Sequence, residues 1–112
     1  MQTFVKREDP QWIELGGGQR RKIRAYNGEM MLVEVGFDTG AVGSDHQHPH
    51  TQISYVLEGE FTYHIEGEER VMKAGDSIVV DGGKVHGCAC IKACLLYTSP
   101  PRVTRQSRRI FL

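Results

Sequence analysis

Four of the five histidines in this 112-residue chain, His46, His48, His50 and His86, fall in patterns that can do chemistry. In an extended strand, residues two apart point to the same face, so His46 and His48 project together. His50 joins them if the strand is regular there. Gln52 shares that parity and can present its amide oxygen to the same space. Pro49 has no amide hydrogen, which suits a strand edge or a strand start. His86 follows Gly82-Gly83-Lys84-Val85 and opens a later strand. Neutral imidazoles with one oxygen donor suit a divalent transition metal that keeps an open position. A lone histidine is most often structural. A His-x-His pair with a nearby amide and a distant third histidine points instead to a metal.

The elements that must position these residues read as short strands. Thirteen glycines punctuate the chain, and turn signals at such intervals suggest a sandwich or barrel. Phe61, Tyr63 and Ile65 alternate with Thr62, His64 and Glu66, the period of a half-buried strand. Further strands are expected at Lys22–Tyr26, Met30–Phe37, Gln52–Leu57, Arg70–Lys73, Ser77–Val80, Val85–Cys90 and Ala93–Tyr97. The one helix-like segment is Asp9–Glu14, with Asp9 as cap and Pro10 at the first position. Closing the strands into a barrel or jelly roll would remove exposed edges. Cys88 and Cys90 share the parity of His86 and are expected to pack inside as small hydrophobes. Three cysteines, an odd number, predict no disulfide. His64 is expected to face solvent, and Arg20, Arg21, Lys22 and Arg24 to lie on a solvated strand face.

Length and composition bound the function. The chain has room for one domain of ordinary size. It has 14 Lys+Arg and 14 Asp+Glu, and that neutrality is uneven. Residues 1–93 carry a net −4. Residues 94–112 carry Arg102, Arg105, Arg108 and Arg109 with no acid, a net +4. Cys94–Ser99 can also be encoded by TGT CTC TTA TAC ACA TCT, a string that resembles a transposon end used in preparing sequencing libraries. The domain is therefore read as residues 1–93, with 94–112 as an atypical basic tail, foreign or disordered. A basic arm can bind nucleic acid, but this one carries no recognisable motif, and no nucleic-acid partner is expected. No apolar run is long enough to span a bilayer, and Met1–Glu8 has no apolar signal core, so no membrane partner and a cytoplasmic location are expected.

Two stretches resemble a known family. Gly40, His46, His48, Gln52 and Gly59 fit the first cupin motif, G(x)5HxH(x)3–4E(x)6G, with Gln52 in place of its Glu. Gly75, Gly83 and His86 fit the second, G(x)5PxGxxH, with Asp81 in place of its Pro and Cys90 at its closing Asn position. The resemblance covers roughly residues 20–90. It implies an all-β, single-domain cupin, a jelly-roll barrel also described as a double-stranded β-helix. It also implies one divalent metal held by His46, His48, Gln52 and His86. Whether that metal is Ni, Zn, Mn or Fe depends on affinity order and supply as well as ligands. Gln for Glu removes one negative charge, which makes a bound metal a stronger Lewis acid and disfavours oxygen chemistry.

The segments Lys22–Tyr26, Met31–Val35, His46–His50, Gln52–Gly59 and Val85–Cys88 are similar to the KdgF cupins in particular. That likeness implies conversion of 4,5-unsaturated monouronates from pectin or alginate breakdown into linear keto acids, by ring opening and ketonisation. It implies a small anionic sugar as substrate and a homodimer. The alternatives are a metal-containing sugar-binding cupin without turnover, or another cupin isomerase or dioxygenase. One departure bears on activity. KdgF cupins end with an Asp-x-Phe-x-Pro-x-Arg-like segment that supplies an acid/base and an arginine. Here Tyr97 is expected at the Asp position, and only the prolines and Arg102, the one candidate catalytic residue, match. Proton delivery to carbon needs a positioned acid or base, so weak turnover is expected.

Overall fold

The computed structural model describes residues 3–99, and its ordered elements are all strands. β1 is Ile13–Gly16, β2 Gln19–Tyr26, β3 Met31–Phe37, β4 Val42–His46, β5 Gln52–Ile65, β6 Glu68–Lys73, β7 Ser77–Val80 and β8 His86–Ser99. Every pairing is antiparallel. The order β1-β2-β3-β8-β5-β6 is completed by β4 on β8 and β7 on β5.

β5 and β8 each serve both layers of the barrel. Their mutual register shifts between Val56 and Phe61, where extra residues bend the ladder. Before the bend, β5 pairs with β7 and with the end of β8; after it, with β6 and the beginning of β8. The segments expected at Gln52–Leu57 and Phe61–Ile65 are thus one strand, as are Val85–Cys90 and Ala93–Tyr97. Alternation aims one face of each strand inward. Met31, Val33, Val35 and Phe37 of β3 meet Val56 and Phe61 of β5, Ile78 and Val80 of β7, and Cys90, Cys94 and Leu96 of β8. Burying a single valine in this way is worth about 1.5–3 kcal/mol.

The structure corrects two expectations. Asp9–Glu14 is not a helix. Asp9 accepts the Lys6 backbone N–H at 2.9 Å and closes a turn, while Ile13 and Glu14 pair with Arg21 and Arg20. The edge of β2 satisfies these backbone groups, and a single helical turn could not compete. The boundary after residue 93 falls inside β8. Residues 94–99 continue the strand, with Cys94, Leu96 and Thr98 buried, because they keep the inward–outward alternation of the residues before them. Residues 100–112, with Arg102, lie outside the described residues.

Candidate metal centre

The four expected ligands meet at one end of the barrel. His46 closes β4, Gln52 opens β5 and His86 opens β8. His48 lies in the loop between β4 and β5. Strand parity is not what brings it in: Pro49 ends the extended run, and the loop turns back on itself. The Gly83 N–H then donates to the His48 carbonyl at 2.7 Å. Gly82 lets this loop close, since a Cβ there would lie 2.2 Å from the Pro49 carbonyl oxygen. His50 departs from the expected shared face and stacks on His48, rings parallel to within 7° and 4.0 Å apart. Its pKa is lowered by burial first and by the neighbouring His48 and His86 second.

The three remaining histidines are set up alike. His46 Nδ1 lies 2.9 Å from the Ser44 carbonyl, His48 Nδ1 2.9 Å from that of His50, and His86 Nδ1 2.9 Å from that of Lys84. A carbonyl only accepts, so each Nδ1 carries the hydrogen and each neutral ring presents its Nε2 lone pair. One nitrogen from each ring lies within 4.8 Å of the others. His86 and His48 are buried, while His46 is partly exposed and forms the mouth. Metal-binding histidines are oriented by this kind of outer contact.

Gln52 supplies the strongest indication of what belongs there. Its Oε1 lies 3.1 Å from His48 Nε2. Its own Nε2 donates to Ser54 Oγ at 3.2 Å, Ser54 to Thr98 Oγ1 at 3.2 Å, and Thr98 to the Ile53 carbonyl at 3.4 Å. This chain fixes the amide with its oxygen toward His48. Two lone pairs therefore face each other in a buried place, an arrangement that needs a second proton on His48 or a cation between them. Nitrogens of His46 and His86 converge on the same place. The donor set thus fits a divalent metal.

The interior beside this centre forms a small cavity of about 20 Å³, lined by Phe37, Gln52, Ser54, Tyr63, Cys88 and Leu96 among others. Tyr63 lies over His86, centroids 6.3 Å apart and planes within 15°, and burial raises its phenol pKa. Cys88 and Cys90 are buried as expected. Tyr97 is not in the site: it pairs with Glu34 and Tyr55 and only its flanking residues Leu96 and Thr98 face inward. Counted back from Pro100 and Arg102, the Asp-x-Phe-x-Pro-x-Arg spacing places the acid at Leu96, not Tyr97. Leu96 lines the cavity next to Gln52, so that wall has no carboxylate.

Other expected surface residues are engaged within the chain. Arg20 pairs with Asp38 at 2.6 Å, Arg24 donates to the Arg7 carbonyl at 2.9 Å, and Lys22 sits 4.4 Å over the Trp12 ring. His64 is half-buried and bonded to Asp45. Ser54, Thr98 and Asp45 had no signal of their own in the sequence. Ser54 shares the parity of Gln52, the one hint that a polar chain runs inward there.

A two-layered antiparallel barrel with three imidazoles and an amide at one mouth defines a class. Residues 33–97 match the Cupin domain family model, and the chain belongs to the cupin family. Within it, the chain is similar to the pectin degradation protein KdgF of Dickeya dadantii, 39% identical over 102 residues, covering 88% of this chain and 92% of that one. Among solved structures it resembles KdgF from Halomonas sp., with 34% identity, TM-score 0.85 and coverage of 95% and 99% of the two chains. It also resembles an RmlC-like cupin from Shewanella frigidimarina, with 35% identity, TM-score 0.88 and coverage of 95% and 96%. Among the described residues no helix is long and apolar enough to cross a membrane.

Proposed function

We propose that the chain is a metal-dependent cupin of pectin or alginate breakdown that acts on 4,5-unsaturated monouronates, opening the ring and ketonising the enol to a linear keto acid. The observation that carries the metal reading is the fixed Gln52 amide, its oxygen turned to the His48 lone pair. The likeness to KdgF carries the substrate. His46, His48, Gln52 and His86 would hold one divalent ion (Ni, Zn, Mn or Fe). When bound, that ion supplies Lewis acidity toward a carboxylate and a developing enolate oxygen.

The chain's own residues shape the rest. Four neutral donors leave the ion's charge undiminished, which favours an anionic sugar. The Ser54–Thr98 chain keeps the Gln52 oxygen on the site. Tyr63, held neutral by burial, can donate a hydrogen bond into the cavity. The acid expected for proton delivery is replaced by Leu96, so the reaction runs slowly. That same residue favours a second reading, a sugar-binding cupin without turnover. The reading includes a cytoplasmic homodimer. Ile53, Tyr55 and Val79, exposed on adjoining strands β5 and β7, offer an apolar stripe for such a contact.

The test is metal analysis of the purified protein together with NMR of an unsaturated galacturonate incubated with it. One equivalent of metal and slow appearance of the keto acid, above the spontaneous rate, are expected. Conversion as fast as a KdgF enzyme would overturn the Leu96 argument, and absence of metal the site itself.

A further inference from the structure

β4 and β8 fall out of step by one residue just before the first histidine of the site. Gly43 pairs with Cys88 and His46 with His86, so Ser44 and Asp45 together face the single residue Gly87. Such a bulge bends the strand and re-aims its side chains. Its two residues do different work. Ser44 turns its carbonyl to His46 Nδ1. Asp45 reaches over β8 to His64 of β5, whose Nε2 donates to Asp45 Oδ1. His64 is itself the cross-strand partner of Gly87. Three neighbouring strands are thereby joined in one row. A Cβ at Gly87 would lie 2.5 Å from Asp45 Oδ1, 2.9 Å from the Gly43 carbonyl oxygen and 3.0 Å from His64 Nε2. Only a glycine lets the contact pass.

We propose that the His64–Asp45 contact is a clip that holds the β4 bulge in place and so aims the Nε2 of His46 at the metal position. His64 and Asp45 are positioning residues: they act through the bulge, the Ser44 carbonyl and the His46 ring, and touch neither metal nor substrate. The clip rests on the metal reading above. It differs from an ordinary surface ion pair, which is worth little to stability, because its effect falls on a ligand's orientation. Outer contacts of metal ligands typically change affinity by about 10–100-fold.

The test is Co²⁺ binding to the full chain, measured by competition with a chromophoric chelator and by the visible absorption of the bound ion. Melting of the metal-free protein is followed in parallel, so that a misfolded variant is recognised. His64→Ala and Asp45→Ala are each expected to raise the Co²⁺ Kd about tenfold and to change the cobalt spectrum. The double variant should bind no more weakly than either single one, because one contact is lost in all three. His64→Gln keeps an N–H donor toward Asp45 and should recover most of the loss. An unchanged Kd in both alanine variants, or a loss that glutamine fails to recover, overturns the clip while leaving the metal reading intact. A wild-type chain that takes up no Co²⁺ overturns both.

Discussion

The two halves of β8 build two different parts of one pocket. Its beginning carries His86, fully buried, aimed by its bond to the Lys84 carbonyl and gathered with His46 of β4 and His48 of the following loop. Its end carries Leu96 and Thr98, facing the same interior from the opposite layer. The first half fits the proposed metal: His46, His48 and His86 each have Nδ1 anchored and the Gln52 amide is fixed. The second half still supports that site, through Thr98 and Ser54, but offers no group to move a proton. Holding a metal and delivering a proton to carbon are separate requirements, and on the proposed reading β8 meets the first and misses the second.

Removing His86 gives the largest expected effect on this contrast. His86→Ala takes away a fully buried nitrogen donor and leaves two imidazoles and an amide. Affinity for Co²⁺ or Ni²⁺ should fall by more than the roughly 100-fold upper range seen for outer contacts. Isothermal titration checks it. The thermal stabilisation produced by adding metal should vanish with it, since a ligand stabilises the fold by about 2.7 kcal/mol at 100 times its Kd. A variant that still binds as tightly as the parent would place the metal elsewhere.

The second-largest effect belongs to the other half. Leu96→Asp puts a carboxylate on the cavity wall beside Gln52. General acid–base groups contribute about 10²–10⁴-fold, so at least a tenfold gain in ketonisation over the parent is expected, read by NMR. The substitution costs stability, because a buried carboxylate is poorly solvated, and metal loading should recover part of that cost. Tyr97→Asp, by contrast, changes an outward-facing residue and should leave the rate unaltered. Equal gains from both variants would mean that strand parity does not govern this wall.

The same contrast decides what could be read in the sequence. His46, His48, Gln52 and His86 were legible because their spacing and chemistry are local, and the glycines around them mark obligatory turns. Inward alternation in Phe61–Ile65 likewise announced a barrel face. Three things were not legible. The continuity of β5 and of β8 through their bends depends on pairing between residues far apart in sequence. Tyr97 was aligned with the family's Asp one position too late, and a shift of one position reverses every side chain of a strand. Ser54, Thr98 and the Asp45–His64 contact become meaningful only when remote strands come together. The division expected at residue 93 falls inside β8 for a related reason: composition changes there, but the alternation of buried positions does not.

A last prediction concerns stability, not binding or turnover, and asks whether Cys88, two residues after His86, is packed as a neutral thiol. A metal-ligating thiol would be held as thiolate, with a depressed pKa. Without a metal, burial pushes the Cys88 thiol from about 9 up to about 11, the Gly43 backbone bond pulling the other way and Cys90 adding to the rise. In the unfolded chain the thiol ionises near its ordinary value. Between about pH 9 and 11 the unfolded state therefore binds fewer protons than the folded one, and stability falls as pH rises through that window. Two pKa units correspond to about 2–3 kcal/mol for one such group, fully retained below pH 9. Urea unfolding of the metal-free protein, compared with Cys88→Ala at each pH, isolates this contribution from tyrosines and lysines common to both. The parent should lose stability relative to the alanine variant as pH climbs from 9 to 11. A parent that gains instead would show the thiolate to be favoured in the fold, and Cys88 would not be a neutral packed thiol.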